Sequence, residues 1–247
     1  MDQRLNGKRA FVTGGSRGIG AAIVTRLAKE GASVAFTYAS SPARAEAVAQ
    51  TVREAGREAL AIQADSADAA VLTAAVDQAA AKFGGIDILV NNAGIAAMAP
   101  VDQFKLEEFD RTFAINVRAV FVASQAALKH MKEGGRIINI CSTNAERMPF
   151  AGGSVYAMSK SALVGLVKGM ARDLGPRGIT VNNIQPGPVN TDMNPENGEF
   201  AKTLLGLMAI PHYAHVNEIA GMAAYLATDE AKSVTGASLM IDGGFSA

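Results

Sequence analysis

Apolar runs of strand length alternate with longer segments of helical periodicity along almost the whole chain. Residues 9–13 predict a first strand and residues 18–30 its helix, closed by Gly31. A second strand follows over 33–38, with a helix over 42–55 ended by Gly56. The third strand spans 59–64, and the helix over 68–83 stops at Gly84 and Gly85. The fourth strand is 86–91, after which the spacing predicts one long helix over 106–131. A fifth strand over 136–141 leads to a helix that carries Tyr156 and runs to about Leu174. The sixth strand is 179–185 and a short seventh is 238–241.

Strand–helix alternation with continuously apolar strands implies a parallel sheet covered on both faces. The expected fold class is therefore α/β: a Rossmann-type, doubly wound sheet of about seven parallel strands flanked by helices. There is no fixed-period repeat, low-complexity tract or linker-like shift in composition, so residues 1–247 are read as a single domain. The one stretch out of rhythm is 188–215, rich in Pro, Asn and Met, which follows the sixth strand. Ligands of such sheets bind beyond the carboxyl ends of the strands, which makes this stretch a candidate substrate loop or lid. No element is assigned between it and the seventh strand.

Composition narrows the functional classes. The chain has 247 residues, 49% of them hydrophobic, and a formal net charge of zero, so neither nucleic acid nor an anionic membrane is an expected partner. Its start lacks a long apolar region after a basic end, and no run reaches the roughly 18 apolar residues of a membrane span. The single cysteine, Cys141, ends a strand-like run and reads as buried packing. A cytoplasmic protein is expected. His130, His212 and His215 have neither metal-ligand spacing nor carboxylate partners in sequence, and no metal is expected.

The chemistry concentrates after the fifth strand. Tyr156 and Lys160 lie four residues apart, just over one helical turn, which puts the phenol and the ammonium on one helix face. A phenol ordinarily titrates near ~10, and a cation held beside one favours the phenolate. Ser142 adds a hydroxyl that can bond a substrate oxygen.

A second cluster lies where the first strand turns into the first helix: Thr13, Gly14, Gly15, Ser16, Arg17, Gly18, Ile19 and Gly20. Glycines here permit positive φ and let a diphosphate approach backbone N–H groups at a helix N-terminus. The second strand ends Thr37-Tyr38-Ala39-Ser40-Ser41, without the acid that would bond the ribose hydroxyls of NAD. Arg17 and Arg44, with hydroxyls such as Ser40, suit a 2′-phosphate instead, so NADPH is the expected cofactor. Asp65 ends the third strand, where it can bond an adenine amino group. Asn91, Asn92, Ala93 and Gly94 end the fourth, where small residues and amides pack against a nucleotide. Asn116 interrupts an apolar helical stretch, and a buried amide there needs partners.

Together these residues resemble the short-chain dehydrogenases/reductases over essentially the whole chain. The likeness rests on the TGGSRGIG loop, the NNAG run, Asn116, Ser142 with Tyr156 and Lys160, Pro186-Gly187 with Thr191, and the terminal Ile241-Asp242-Gly243-Gly244. Within that family the chain looks most like the 3-oxoacyl-carrier-protein reductase group. The resemblance implies hydride transfer from NADPH to a ketone, with Ser142 holding the carbonyl oxygen and Tyr156 as general acid. It implies Lys160 on the nicotinamide ribose hydroxyls and Asn116 holding a water that relays protons to Lys160. It also places Pro186, Gly187, Val189 and Thr191 beside the cofactor.

Two features depart from the carrier-protein group. Ser142 and Tyr156 are fourteen residues apart, one more than expected, which lengthens a loop beside the pocket. Before the fifth strand stands Glu133, where a carrier reductase can present a basic docking residue; Arg177 is basic but insufficient alone. The expected substrate is a small cyclic or aryl ketone or a β-keto ester, with a 3-oxoacyl thioester possible. Glu146, Met148, Phe150, Met193 and Met208 are the expected substrate-binding side chains beside Ser142 and Tyr156. Ala96, Pro188, Leu207 and Tyr213 complete the candidate walls. The segments AERMPFAGG and QPGPVNTDMNPENG also resemble a subgroup that binds cyclic di-GMP, so a nucleotide-binding regulatory protein on the reductase fold is the alternative. Ala157, Ser161, Gly165 and Gly169 form a stripe of small side chains on the Tyr156 helix, and a homotetramer is expected by resemblance.

Overall fold

The computed structural model describes residues 3–247; Met1 and Asp2, the first two residues of the expected domain, lie outside the described residues. Seven parallel strands form one sheet in the order β3-β2-β1-β4-β5-β6-β7. The strands are β1 Arg9–Val12, β2 Ser33–Tyr38, β3 Ala59–Gln63, β4 Ile88–Asn91, β5 Arg136–Ile140, β6 Thr180–Pro186 and β7 Ser238–Ile241. The order reverses between β1 and β4, which opens a crevice at their carboxyl ends.

Helices α1 Gly18–Lys29, α2 Pro42–Glu54 and α8 Val216–Ala227 cover one face. Their buried Ile23, Val24, Leu27, Ala49, Val52, Ile219 and Ala223 share a core with β1 and β2. Helices α3 Ala69–Phe83, α5 Ala119–Ala127 and α6 Ser154–Leu174 cover the other, through Leu72, Val76, Ala123, Ala127 and Val167. The capping chemistry sets the boundaries. Asp68 accepts from the Ala70 and Val71 amides at the start of α3, and Gly84 ends it in the left-handed region at φ 79°.

Three expectations change. Helix α8 has no counterpart in the sequence reading, yet its N-terminal capping, with the His215 ring accepting from Asn217 N–H at 3.2 Å and the Glu218 carboxylate from His215 N–H at 2.7 Å, is a start signal. The long helix over 106–131 is broken: α4 Leu106–Phe113 and α5 are joined by a π-helical turn at Ala114–Arg118, and α5 ends at Ala127. The strands are also less uniformly apolar than expected. Asn91, Asn139, Asn183 and Ser238 stand in register across β4 to β7 and form an amide ladder. Its bonds are Asn91 Nδ2 to Asn139 Oδ1 at 2.9 Å, Asn139 Nδ2 to Asn183 Oδ1 at 3.0 Å and Asn183 Nδ2 to Ser238 Oγ at 3.1 Å. Each amide nitrogen finds its partner on the next strand, while Asn91 Oδ1 at the β4 end is buried without one among the described residues.

Candidate active site

The glycine loop is shaped by hydroxyls and by the absence of side chains. Gly14 and Gly18 have φ of 68° and 54°, which favours glycine. A Cβ on Gly20 would lie 2.2 Å from the Gly14 carbonyl oxygen, so helix and loop meet only because that position is bare. Thr13 Oγ1 accepts from the Asn92 and Ala93 amides, at 2.9 and 3.0 Å, and Thr37 Oγ1 accepts from Gly14 N–H at 3.0 Å. Asn92 Nδ2 donates to the carbonyls of Thr13 and Gly14. The amide of Asn92 thus braces the loop. Arg17 stands at the N-cap of α1 without a side-chain capping bond, which leaves that helix terminus suited to an anion. Ser16 and Ile19 are half-buried in the same loop.

Thr191 faces this loop: a Cβ on Gly18 would sit 3.5 Å from its Cγ2. Pro186 ends β6, Val189 is buried, and Gly187 passes so close to Asp242 that a Cβ would lie 2.7 Å from its Cα. Ser40 is exposed at the end of β2. Asp65 accepts from Ala67 N–H at 2.9 Å and pairs with Arg111 at 3.5 Å.

Tyr156 and Lys160 stand together on α6 against the end of β5, and Ser142 follows that strand by two residues. Lys160 is buried, donates from Nζ to the Ile140 carbonyl at 2.9 Å, and stands 5.9 Å from the centre of the Tyr156 ring. An ammonium has three donors, so two remain for other partners. Ser142 Oγ accepts from Asn144 N–H at 3.1 Å and donates to Asn144 Oδ1 at 3.4 Å. The adjacent Cys141 is buried, bonds the Lys160 carbonyl at 3.3 Å, and burial pushes its thiol up from the ordinary value.

Asn116 occupies the π turn, a feature often found at functional sites. Its Oδ1 accepts from Ile95 N–H while Nδ2 donates to the Ile95 carbonyl, both at 2.9 Å, and Nδ2 also donates to Ser159 Oγ at 3.0 Å. Both amide hydrogens are therefore committed, and the side chain clamps the turn that follows β4. At Gly94 a Cβ would fall 3.4 Å from Asn116 Oδ1 and 3.5 Å from Lys160 Nζ, so this turn of the chain lies directly against both side chains.

The expected substrate side chains are dispersed around the loops. Glu146 accepts from Nε2 of Gln185 at 3.1 Å, and Gln185 is fully buried. Met148 packs its thioether against Gly153, Met193 is 57% exposed, Phe150 is half-buried, and the Met208 methyl lies against Gly243. Tyr213 donates from its hydroxyl to Asn194 Oδ1 at 3.1 Å, and burial raises the phenol's pKa. The stretch 188–215 is held at its ends by a bridge between Val189 and Ala214, and α7 Ala201–Leu205 is its one helix. His130, expected to have no carboxylate partner, meets Asp77 at 2.7 Å, a pairing across 53 residues of sequence that spacing does not reveal.

Sequence reasoning missed the residues that support the site. Ile95 and Ser159 hold Asn116; Thr143 and Arg147 tie the loop after Ser142 to the C-terminus, through Asp242 Oδ2 at 2.9 Å and the Phe245 carbonyl. Asp192, unremarked in sequence, pairs with both Arg44 and Arg17. Its signal was an acid placed directly after Thr191.

A family model described as enoyl-(acyl carrier protein) reductase matches residues 14–246. A short-chain dehydrogenase/reductase from Serratia marcescens is 66% identical in sequence and superposes with a TM-score of 0.98, over 99% of this chain and 100% of that one. A short-chain dehydrogenase from Burkholderia cenocepacia, solved in complex with NADP, is 54% identical at a TM-score of 0.98, over 99% and 100% of the two chains. The cyclic-di-GMP-binding biofilm dispersal mediator protein of Escherichia coli is 50% identical over 98% of this chain and 99% of its own. With the glycine loop, the buried lysine beside a tyrosine, and this likeness over nearly its full length, the chain belongs to the short-chain dehydrogenase/reductase family of oxidoreductases.

Proposed function

We propose that this protein is an NADP(H)-dependent carbonyl reductase, with residues 188–215 as the substrate loop of one catalytic domain. The observation that carries the reading is Lys160: a buried ammonium 5.9 Å from the Tyr156 ring, with one donor spent on Ile140 and two free. The residues fit the cofactor. The bare glycine loop and uncapped α1 terminus form a cradle for a diphosphate, and Gly94 brings the turn after β4 against Lys160. Gly14, Ser16, Gly18, Ile19, Gly20, Asn92, Ala93 and Thr191 would surround the dinucleotide, and Arg17 and Arg44 the 2′-phosphate. The Burkholderia cenocepacia relative was solved with NADP, which supports the choice.

When bound, NADPH supplies the hydride. The chain's own residues do the rest. Ser142 turns its hydroxyl from Asn144 toward the carbonyl oxygen, and the Asn144 amide polarises that O–H as it turns. Tyr156 donates the proton to the developing alkoxide as general acid, and takes it back as base in the reverse direction. Lys160 stabilises the negative charge left on the phenol and holds the nicotinamide ribose hydroxyls with its two free donors. Since both hydrogens of the Asn116 amide are spent, its side chain positions the Gly94–Ile95 turn.

The expected substrate side chains are mostly apolar and include flexible methionines, which suits a compact ketone or β-keto ester over a sugar. Carrier-protein docking is disfavoured. Arg177 spends its guanidinium on the Leu128 and Met131 carbonyls, and Glu133 packs against Gly178. A homotetramer in the cytoplasm completes the reading. Gly165 and Gly169 face open space, and Leu106, Phe121 and Met158 on the same helical layer are 72%, 52% and 46% exposed. NADPH turnover on ethyl acetoacetate, a cyclic ketone and an acetoacetyl thioester, measured side by side, tests the reading. The absence of turnover on all three overturns it.

The 50% identity to the cyclic-di-GMP-binding protein of Escherichia coli favours one second reading, a regulatory nucleotide binder on this fold. Calorimetry with cyclic di-GMP discriminates: micromolar binding without ketone turnover selects it.

A further inference from the structure

The segment that follows β6 carries a tight turn. Asn194 N–H donates to the Thr191 carbonyl at 3.1 Å and Thr191 N–H to the Asn194 carbonyl at 3.3 Å, which leaves Asp192 and Met193 at the tip. The tip is pinned to two other elements. Asp192 Oδ2 lies 2.7 Å from Nη1 of Arg44, in the first turn of α2, and 3.5 Å from Nη1 of Arg17, in the glycine loop. These are the two guanidinium groups assigned above to the 2′-phosphate. One carboxylate therefore occupies both cationic forks.

We propose that Asp192 is a built-in counter-ion for the 2′-phosphate site, displaced when NADP(H) binds. The inference rests on the NADP(H) reading. Arg44 and then Arg17 hold the Asp192 carboxyl below the ordinary carboxylate range, as expected for an anion shared by two cations. A phosphate monoester carries about −1.5 to −2 charges and three acceptor oxygens. It outcompetes a single carboxylate for the same forks. Both arginines and Asp192 are more than half exposed, so water and salt screen the pairing, and the competition is worth a few-fold in affinity rather than a blockade. NAD(H) lacks the phosphate and leaves the pairing in place.

Displacement also frees the turn. Met193, the neighbour of Asp192, is an expected substrate wall, and Asn194 is tied to Tyr213 at the far end of the lid. The 2′-phosphate is thereby read out at the substrate loop as well as at the adenosine end.

The test is binding, measured by fluorescence titration with NADPH and NADH and by calorimetry with 2′,5′-ADP and 5′-ADP. Asp192→Asn is expected to tighten NADPH and 2′,5′-ADP about two- to fivefold at low salt. NADH and 5′-ADP are expected to stay within about twofold of wild type, and the gain to vanish at about 0.5 M salt. Asp192→Glu keeps the anion and is expected to bind NADPH as wild type does. Hydrogen exchange at Thr191 and Asn194 is expected to rise with 2′,5′-ADP and not with 5′-ADP. Unchanged or weakened NADPH binding in Asp192→Asn, or an equal gain for NADH, overturns the proposal alone. A wild type that binds 2′,5′-ADP no better than 5′-ADP overturns the NADP(H) reading with it.

Discussion

Asn116 and Ile95 are joined by two hydrogen bonds of equal length, amide oxygen to N–H and amide nitrogen to carbonyl, each 2.9 Å. The side chain thus behaves as one residue of a β-ladder, inserted from a helix into the turn after β4. The π turn allows it: adding one residue to the helical turn aims the amide at Ile95, and Ala119 N–H reaches back to the Ala114 carbonyl. Asn116→Ala leaves the half-buried Ile95 amide without its partner and is expected to cost about 1–3 kcal/mol in denaturant unfolding. Asn116→Asp keeps the acceptor but faces an anionic oxygen to the Ile95 carbonyl. Its deficit relative to wild type is expected to shrink from pH 7 to pH 5, as the acid protonates and regains a donor. A deficit that grows on acidification contradicts this geometry.

Tyr156→Phe keeps the ring above Lys160 and removes only the proton. Turnover of the best ketone is expected to fall about 10²- to 10⁴-fold, with NADPH affinity and Tm unchanged. Single-turnover oxidation of NADPH measures it. Wild-type rates in the variant would remove Tyr156 from the mechanism.

Gly20→Ala puts a methyl 2.2 Å from the Gly14 carbonyl oxygen and 2.5 Å from Asn92 Nδ2. Backbone on one side and a bonded amide on the other leave no room to yield, so the loop must deform. A loss of about 1–3 kcal/mol in stability is expected, together with NADPH binding weakened tenfold or more. Thermal unfolding with and without NADPH reports both effects.

The parts of this site that the sequence made legible share one property: their chemistry is local. Glycines at a strand–helix turn and a tyrosine four residues before a lysine carry their meaning within a dozen residues. The supporting partners do not. Asp192 meets Arg44 across 148 residues, Thr143 meets Asp242 across 99, and the amide ladder depends on strand register. Helix α8 was lost differently. Its apolar stripe of Val216, Ile219, Ala220, Ala223 and Leu226 is local, but its cap is a histidine rather than a Ser, Thr, Asp or Asn, and it follows an irregular stretch.

Gly165 offers a test of assembly that leaves the catalytic machinery untouched. A Cβ there meets nothing within 4 Å, so Gly165→Leu fits the isolated subunit and gains helix propensity of about 1 kcal/mol. In the proposed tetramer the same side chain blocks close helix approach. Sedimentation velocity is expected to shift toward smaller species, while the secondary structure by circular dichroism is unchanged. A tetramer that persists unaltered places the subunit contact elsewhere.

Asp242 makes part of the fold's stability depend on a carboxylate staying ionised. Burial pushes its carboxyl up, but the Ser246 and Thr143 hydroxyls and the Gly244 and Ser246 amides outweigh burial, and the net shift is downward. These bonds measure 2.6 Å from Ser246 Oγ, 2.9 Å from Thr143 Oγ1, 2.9 Å from Gly244 N–H and 3.0 Å from Ser246 N–H. A carboxyl whose folded pKa is depressed contributes stability above its unfolded pKa and loses it as the pH falls through the folded value. The contribution is therefore complete at pH 5 to 8 and is lost only below the ordinary aspartate range of about pH 4, as the pH falls through the depressed folded value. Thr143 follows Ser142 directly, so releasing Asp242 loosens the loop that positions the catalytic hydroxyl. Asp242→Asn is expected to lower stability by about 1–3 kcal/mol at pH 7, since an uncharged amide cannot accept all four bonds as strongly. Its deficit is expected to narrow once the pH falls below the ordinary aspartate range, because the wild type then begins to lose the same charge. Urea unfolding of both proteins from pH 7 to pH 3 measures the convergence, and parallel curves across that range would show that Asp242 is not the group that titrates.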